Sequence, residues 1–134
     1  MISLGGDSVR LELVHNPGAF LSLASELPAD VRGPLLLVLV PLALAALFVL
    51  ALRSRAASGR SVLGLGLIAG GGLGNWLDRL MHGGAVTDFV SLGLGPLRTG
   101  IFNLADVCIV AGALLLLLLS AEGGKYEGRT RPIP

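Results

Sequence analysis

From Pro34 to Leu52 the chain carries not one polar side chain. No other feature constrains its fold as much. A hydrocarbon core about 30 Å thick is crossed by about 20 helical residues, and this run has that length. Burying it in a soluble core would require a large protein. The chain has 134 residues, and a domain of that size leaves much of its surface in water. Its hydrophobic fraction is 53% and its charged fraction 14%, against about 25% charged residues in a soluble domain. Insertion into a bilayer resolves the conflict. Pro34, at the start of the run, suits a first helical turn. Pro41, inside it, is expected to kink the helix.

Two further segments share this character. Residues 61–77 are apolar and rich in glycine, with Gly64, Gly66, Gly70, Gly71, Gly72 and Gly74. Small residues let membrane helices approach closely, so these glycines are read as packing positions. A phosphate loop is excluded because no Lys-Ser/Thr pair follows them. Residues 102–120 form the last apolar run. Arg53, Arg55 and Arg60 lie between the first two runs, and the positive-inside rule places that loop in the cytoplasm. The polar tail, residues 121–134 with Lys125, Arg129 and Arg131, is expected on the same side. Residues 1–32 then lie outside. Within them Val9, Leu11 and Leu13 alternate with Arg10, Glu12 and Val14, the pattern of a short strand. His15-Asn16-Pro17-Gly18 reads as a turn. The segment lacks the charged start and apolar core of a signal peptide. Asn75 to Ile101 reads as a connecting stretch on the outer face, with Trp76 near the interface where indole rings reside. The expectation is one all-α membrane domain, residues 1–134. It has three transmembrane helices (34–52, 61–77 and 102–120) and a small extracytoplasmic β-containing segment near the N-terminus.

Several chemistries have no support. The net charge is +1 and no basic block is interleaved with aromatics, so nucleic acid is not an expected partner. Cys108 sits in an apolar run and reads as a packing residue. No zinc-type Cys/His spacing exists, and neither metal nor cofactor is expected. His15 neighbours a turn and His82 a surface loop, and Ser22 and Ser91 lack a base, so no triad can be assembled.

What remains is a cluster of polar residues at one end of the last two spans: Asn75, Asp78 and Arg79, then Asp88, then Asn103 and Asp106. An Asp at the centre of a spanning helix costs about 2.5–3.5 kcal/mol, whereas each Leu, Ile or Val returns about 0.3–0.6 kcal/mol. The last helix can therefore carry Asp106 near its outer end. Tolerance does not explain its presence, and ionisable groups in membranes are functional candidates by default. If Asp88 and Asp106 approach to about 4 Å, they repel by about 4 kcal/mol at an effective dielectric near 20. One carboxyl then stays protonated while the other ionises. The ionised member can take a proton from water and the protonated one can donate to a scissile carbonyl, the division of labour of aspartic proteases. Asn75 and Asn103 can donate and accept hydrogen bonds without carrying charge. Asp78 and Arg79 have two readings: a structural ion pair or cap at the membrane surface, or direct contact of Arg79 with substrate. Paired intramembrane carboxylates also serve as ion relays, but relays place such groups at several depths, and here they gather at one face.

Gly74-Asn75-Trp76-Leu77-Asp78-Arg79, Val86-Thr87-Asp88-Phe89 and Phe102-Asn103-Leu104-Ala105-Asp106 resemble the motifs GN-x-x-DR, V-x-DF and FN-x-AD of the lipoprotein signal peptidases (signal peptidase II). Asn16-Pro17-Gly18-Ala19-Phe20 is similar to that family's N-x-G-A-A-F segment, one residue shorter because a single Ala precedes Phe20. The resemblance runs from about Leu11 to Leu119.

It implies that Asp88 and Asp106 are the catalytic aspartates of an intramembrane endopeptidase. Asn16, Asn75, Arg79 and Asn103 would line the substrate and inhibitor site, and Asp78 would hold a supporting position. The implied substrate is a lipidated bacterial prolipoprotein, cut just before its diacylglyceryl-modified cysteine, and the implied inhibitor is the cyclic peptide globomycin. The implied setting is the bacterial cytoplasmic (inner) membrane, crossed several times, with membrane lipids as neighbours and the chain acting as a monomer. The family has four spanning helices, the first with an Asp-x-x-Ser/Thr-Lys motif, so an in-frame apolar span is expected upstream of Met1. The alternative expectation is an inactive or truncated relative that binds in the membrane or serves a structural role.

Overall fold

The structure is a computed structural model and describes residues 1–18, 27–53 and 58–127. Ala19 and Phe20 of the fourth motif, Ser22, Arg55 of the basic loop, and Arg129 and Arg131 of the tail lie outside the described residues. Seven elements follow in order. They are β1 (Ile2–Leu4), β2 (Val9–Asn16), α1 (Ala29–Arg53), α2 (Gly59–Met81), β3 (Val86–Leu94), β4 (Leu97–Arg98) and α3 (Leu104–Glu127). The strands form one antiparallel sheet in the order β1-β2-β3-β4.

The expectation of an all-α protein is therefore corrected. The stretch after the second apolar run is neither loop nor purely connecting. Its first part continues α2 to Met81, and Val86–Leu94 is an inner strand of the sheet. The Val-Thr-Asp-Phe-Val-Ser-Leu run is rich in β-formers (Val86, Thr87, Phe89, Val90). Its partner, β2, lies far off in sequence, so local pattern alone does not reveal the pairing.

α1 and α2 exceed the expected bounds at both ends, and α3 starts two residues later than expected and runs on to Glu127. Because α1 begins at Ala29, Pro34 stands beyond the first turn, and both Pro34 and Pro41 lie inside the helix. Among the described residues two helices are long and apolar enough to cross a membrane: Asp30–Arg53, with mean hydropathy 3.1, and Leu104–Glu122, with 2.5. In a soluble protein such helices would be mostly buried, yet only 6% of each apolar stretch is covered. Phe48 and Leu117 are exposed, as on a lipid-facing surface. The glycines dilute the apolarity of α2, the expected middle span. Gly64, Gly71 and Gly72 are used in packing, as anticipated, whereas a Cβ on Gly66 or Gly70 would meet nothing within 4 Å. A Cβ on Gly112 would come within 2.5 Å of the Gly64 carbonyl oxygen, and one on Gly71 would strike the Ala105 carbonyl. Seven residues along α2 thus match seven back along α3, two turns of antiparallel contact. Gly72 faces the other way and accepts Leu44 of α1, so α2 packs against both neighbours.

The two ends of the bundle differ. At one end Ser58 caps α2, its hydroxyl accepting from the Ser61 amide, and Arg60 pairs with Glu122 at 3.4 Å. At the other end stands the sheet. A clasp closes its far edge: Arg98 donates to the Asp7 carboxylate at 2.9 Å and to the Asp7 carbonyl, and Arg10 donates to the same carboxylate. The Arg10 hydrogen bonds hold the Asp7 carboxyl well below the usual carboxylate range.

Candidate active site

The polar cluster gathers where the end of α2, the start of β3, the end of β2 and the start of α3 meet. Helix geometry presents Asn75 and Arg79 on one face of α2, four residues apart. Strand geometry presents Val86 and Asp88 on one face of β3, and both are buried.

Asn16 reaches that face through a bulge. Leu11 pairs with Val90, but Val14 pairs with Asp88 and Asn16 with Val86, so β2 gains a residue between Leu11 and Val14. A shift of one residue moves a side chain to the opposite face. Without the bulge Asn16 would share a face with Thr87. With it, Asn16 Nδ2 donates to Asp88 Oδ2 at 2.9 Å. The Asn16 Oδ1 accepts from the Gly18 amide at 2.9 Å, an Asx turn that fixes which end of the carboxamide faces Asp88.

Asn103 is the N-cap of α3. Its Oδ1 accepts from the Asp106 amide at 3.1 Å, and Asp106 Oδ2 accepts from the Asn103 amide at 3.3 Å, a reciprocal capping box. That is the local reason for the Asn-Leu-Ala-Asp spacing. The remaining donors of Asn103 leave the helix. Its Nδ2 donates to Asp88 Oδ1 at 2.8 Å and to Asn75 Oδ1 at 2.9 Å. Asn75 Nδ2 in turn donates to Asp106 Oδ1 at 2.8 Å. The carboxyls of Asp88 and Asp106 are thus joined through two carboxamides. A carboxyl keeps acceptor capacity whether or not it is protonated, and each amide turns its nitrogen toward one.

Asp88 is 2% exposed. Burial pushes its carboxyl up from the ordinary value of 3.8. The hydrogen bonds from Asn16 and Asn103 oppose that rise, and the nearby Asp106 charge adds to it.

Arg79 is 6% exposed. It donates to the Gly18 carbonyl at 3.0 Å and to the Asn75 carbonyl at 3.1 Å, and its buried Nε has no hydrogen-bond partner among the described residues. The reading of an Asp78–Arg79 ion pair gains no support among the described residues. Asp78 instead accepts from the Thr87 amide and pairs with His82 at 2.7 Å. Asp78 therefore stands behind the site, anchoring the strand next to Asp88. His82 and His15, set aside on sequence grounds, stack with ring centroids 5.5 Å apart. The four-residue spacing of Asp78 and His82 on one helix was the signal available for half of that arrangement.

A cavity of about 510 Å³ opens on this network. Asn16, Asn75, Arg79, Asp88 and Asp106 supply its polar end, and Leu36, Val40, Ile109, Val110 and Leu114 its apolar walls. Asn103 does not line it and acts from behind as the link between the two carboxyls. The apolar wall residues stand on α1 and α3 at positions outside the motifs. Among the described residues no cluster of His, Cys, Asp and Glu has the arrangement of a metal site.

Residues 1–121 match the family model described as signal peptidase (SPase) II. The lipoprotein signal peptidase of Aquifex aeolicus (strain VF5) is 44% identical over 107 residues, covering 79% of this chain and 62% of that protein. That of Rhodococcus jostii (strain RHA1) is 38% identical over 133 residues, covering 96% of this chain and 62% of that protein. That of Syntrophomonas wolfei is 42% identical over 127 residues, covering 95% and 78%. The chain thus spans less than two thirds of the length of the first two relatives. The fold is similar to a bacterial membrane enzyme solved by the in meso method at 2.3 Å, with TM-score 0.83, 19% identity, and coverage of 99% of this chain and 77% of that one.

Proposed function

The chain belongs to the signal peptidase (SPase) II family, and from that premise we propose that it is an intramembrane aspartyl endopeptidase. Its substrate would be a diacylglyceryl-modified bacterial prolipoprotein in the cytoplasmic membrane, cut just before the lipidated cysteine. The observation that carries this reading is that Asp88 and Asp106 face one cavity and are tied together by Asn103 and Asn75. Two carboxyls held at one site are what acid–base hydrolysis of an amide requires.

The roles divide by environment. Asp88, whose carboxyl burial pushes upward, holds the proton and donates it to the scissile carbonyl oxygen. Asp106 takes a proton from a water that attacks the carbonyl carbon. A tetrahedral diol results. Its collapse breaks the C–N bond, with the proton on Asp106 passing to the departing amine and Asp88 recovering its own. Asn16 holds Asp88 in place, and Arg79 faces the developing negative charge. The apolar walls from α1 and α3 accept the membrane-embedded part of the substrate, and water is kept scarce around the carboxyls. In this reading α2 also crosses the membrane, as the second of three spans, between α1 and α3, with the sheet on the outer side and Arg53 and Arg60 in the cytoplasm.

The test is cleavage of a diacylated prolipoprotein by the purified protein in lipid, with and without globomycin. Globomycin-sensitive release of the signal peptide is expected. Absence of cleavage while the substrate still binds would instead favour a binding role.

A further inference from the structure

Proline has no amide hydrogen, so a proline inside a helix leaves the carbonyl four residues earlier without its helical donor. Pro41 lies inside α1, and the carbonyl it orphans is that of Leu37. In a bilayer no water can repair this, and a neighbouring helix must. The indole of Trp76, on α2, does so: its Nε1 donates to the Leu37 carbonyl oxygen at 2.9 Å. The expected position of Trp76 near the interface gives no sign of this bond.

The position of the joint matters. Below Pro41, α1 is seated on α2 by Leu44 against Gly72. Above it, Leu36 and Val40 form the α1 wall of the cavity. A proline weakens a helix at the point where it removes a bond, so the outer part of α1 can swing about Pro41 unless something holds it. Trp76 lies one residue beyond Asn75, which donates to Asp106. One side chain thus ties the movable wall to the helix turn that orients the carboxyls.

We propose that Trp76 is a positioning residue. By replacing the hydrogen bond that Pro41 deletes, it latches the outer half of α1 and sets the width of the substrate cavity. The joint is a property of this chain's own helices; only its kinetic consequence rests on the peptidase reading above. When the latch is broken, the wall samples open positions and only a fraction of molecules is ready to bind, which weakens apparent affinity by that fraction. The carboxyls sit on β3 and α3, so the chemical step is spared.

The test uses the full chain in lipid. Trp76→Phe keeps the ring and removes the donor. KM is expected to rise roughly two- to tenfold, the range of one lost hydrogen bond, with kcat within about twofold. Pro41→Ala restores an amide donor to the Leu37 carbonyl, so the double variant Pro41→Ala/Trp76→Phe should recover the parent KM. The chain has one tryptophan, so its single indole N–H resonance reads the bond directly, and slow exchange with deuterium is expected. An unchanged KM in Trp76→Phe, a double variant no better than the single one, or rapid indole exchange would each overturn the proposal. Should the parent chain cleave nothing, the peptidase reading fails, and indole exchange together with recovery of thermal stability by Pro41→Ala still decides whether the latch exists.

Discussion

Asn103 holds Asp88 by a 2.8 Å hydrogen bond to Oδ1 while capping the helix that carries Asp106. One carboxamide therefore performs two tasks: it starts α3 and it connects β3 to α3 at the carboxyls. Its other Nδ2 hydrogen goes to Asn75, so its donors are fully used and it has none to spare for a ligand.

Replacement of Asn103 can separate the two tasks. Serine is as good an N-cap as asparagine, but it is too short to bridge. Asn103→Ser is expected to keep thermal stability close to that of the parent while cleavage falls more than about tenfold, the scale of losing well-placed orienting bonds. Asn103→Ala should in addition lose about 1 kcal/mol of stability through the missing cap. Melting curves beside initial rates distinguish the two. Equal rates for Asn103→Ser and the parent would remove the bridge from the mechanism.

Asp88→Asn and Asp106→Asn are each expected to reduce cleavage by about 10² to 10⁴, the usual contribution of a positioned acid or base. Membrane insertion and helical content should stay unchanged. Substantial cleavage by either variant contradicts the paired-carboxyl mechanism.

The pH dependence follows from Asp88. Burial raises its carboxyl above the ordinary 3.8, so the folded state binds its proton more tightly than the unfolded state does. Its contribution to stability is fully present below 3.8 and is lost as pH rises through the raised value. Activity needs the same proton, so the alkaline limb of the rate profile should lie above 3.8. The Asn16 hydrogen bond pulls the carboxyl down. Asn16→Ala should therefore move that limb to still higher pH, as rates measured across a buffer series would show. A limb that stays in place or moves down would contradict the assignment of the proton to Asp88.

Helix contact makes a separate prediction. A Cβ on Gly71 would collide with the Ala105 carbonyl, and one on Gly70 meets nothing within 4 Å. Gly71→Ala is expected to cost about 1–3 kcal/mol, the usual penalty of overpacking. Gly70→Ala should be neutral or stabilising by up to about 1 kcal/mol through helix propensity. Thermal denaturation in detergent checks the pair, and similar melting points would argue against close approach of α2 and α3.

The apolar runs and the polar cluster were legible in the sequence by themselves, because hydrophobicity and charge are properties of residues, not of their neighbours. The motifs carrying Asn16, Asn75, Asp78, Arg79, Asp88, Asn103 and Asp106 could be read the same way, and with them the family. Tertiary structure alone decided the rest. The strand at Val86–Leu94 depends on pairing with Val9–Asn16, and the face that Asn16 presents depends on a single bulged residue. The use of Trp76 depends on a proline in another helix. Such features depend on hydrogen bonds between segments far apart in the chain, and local periodicity carries no record of which distant donor meets which acceptor.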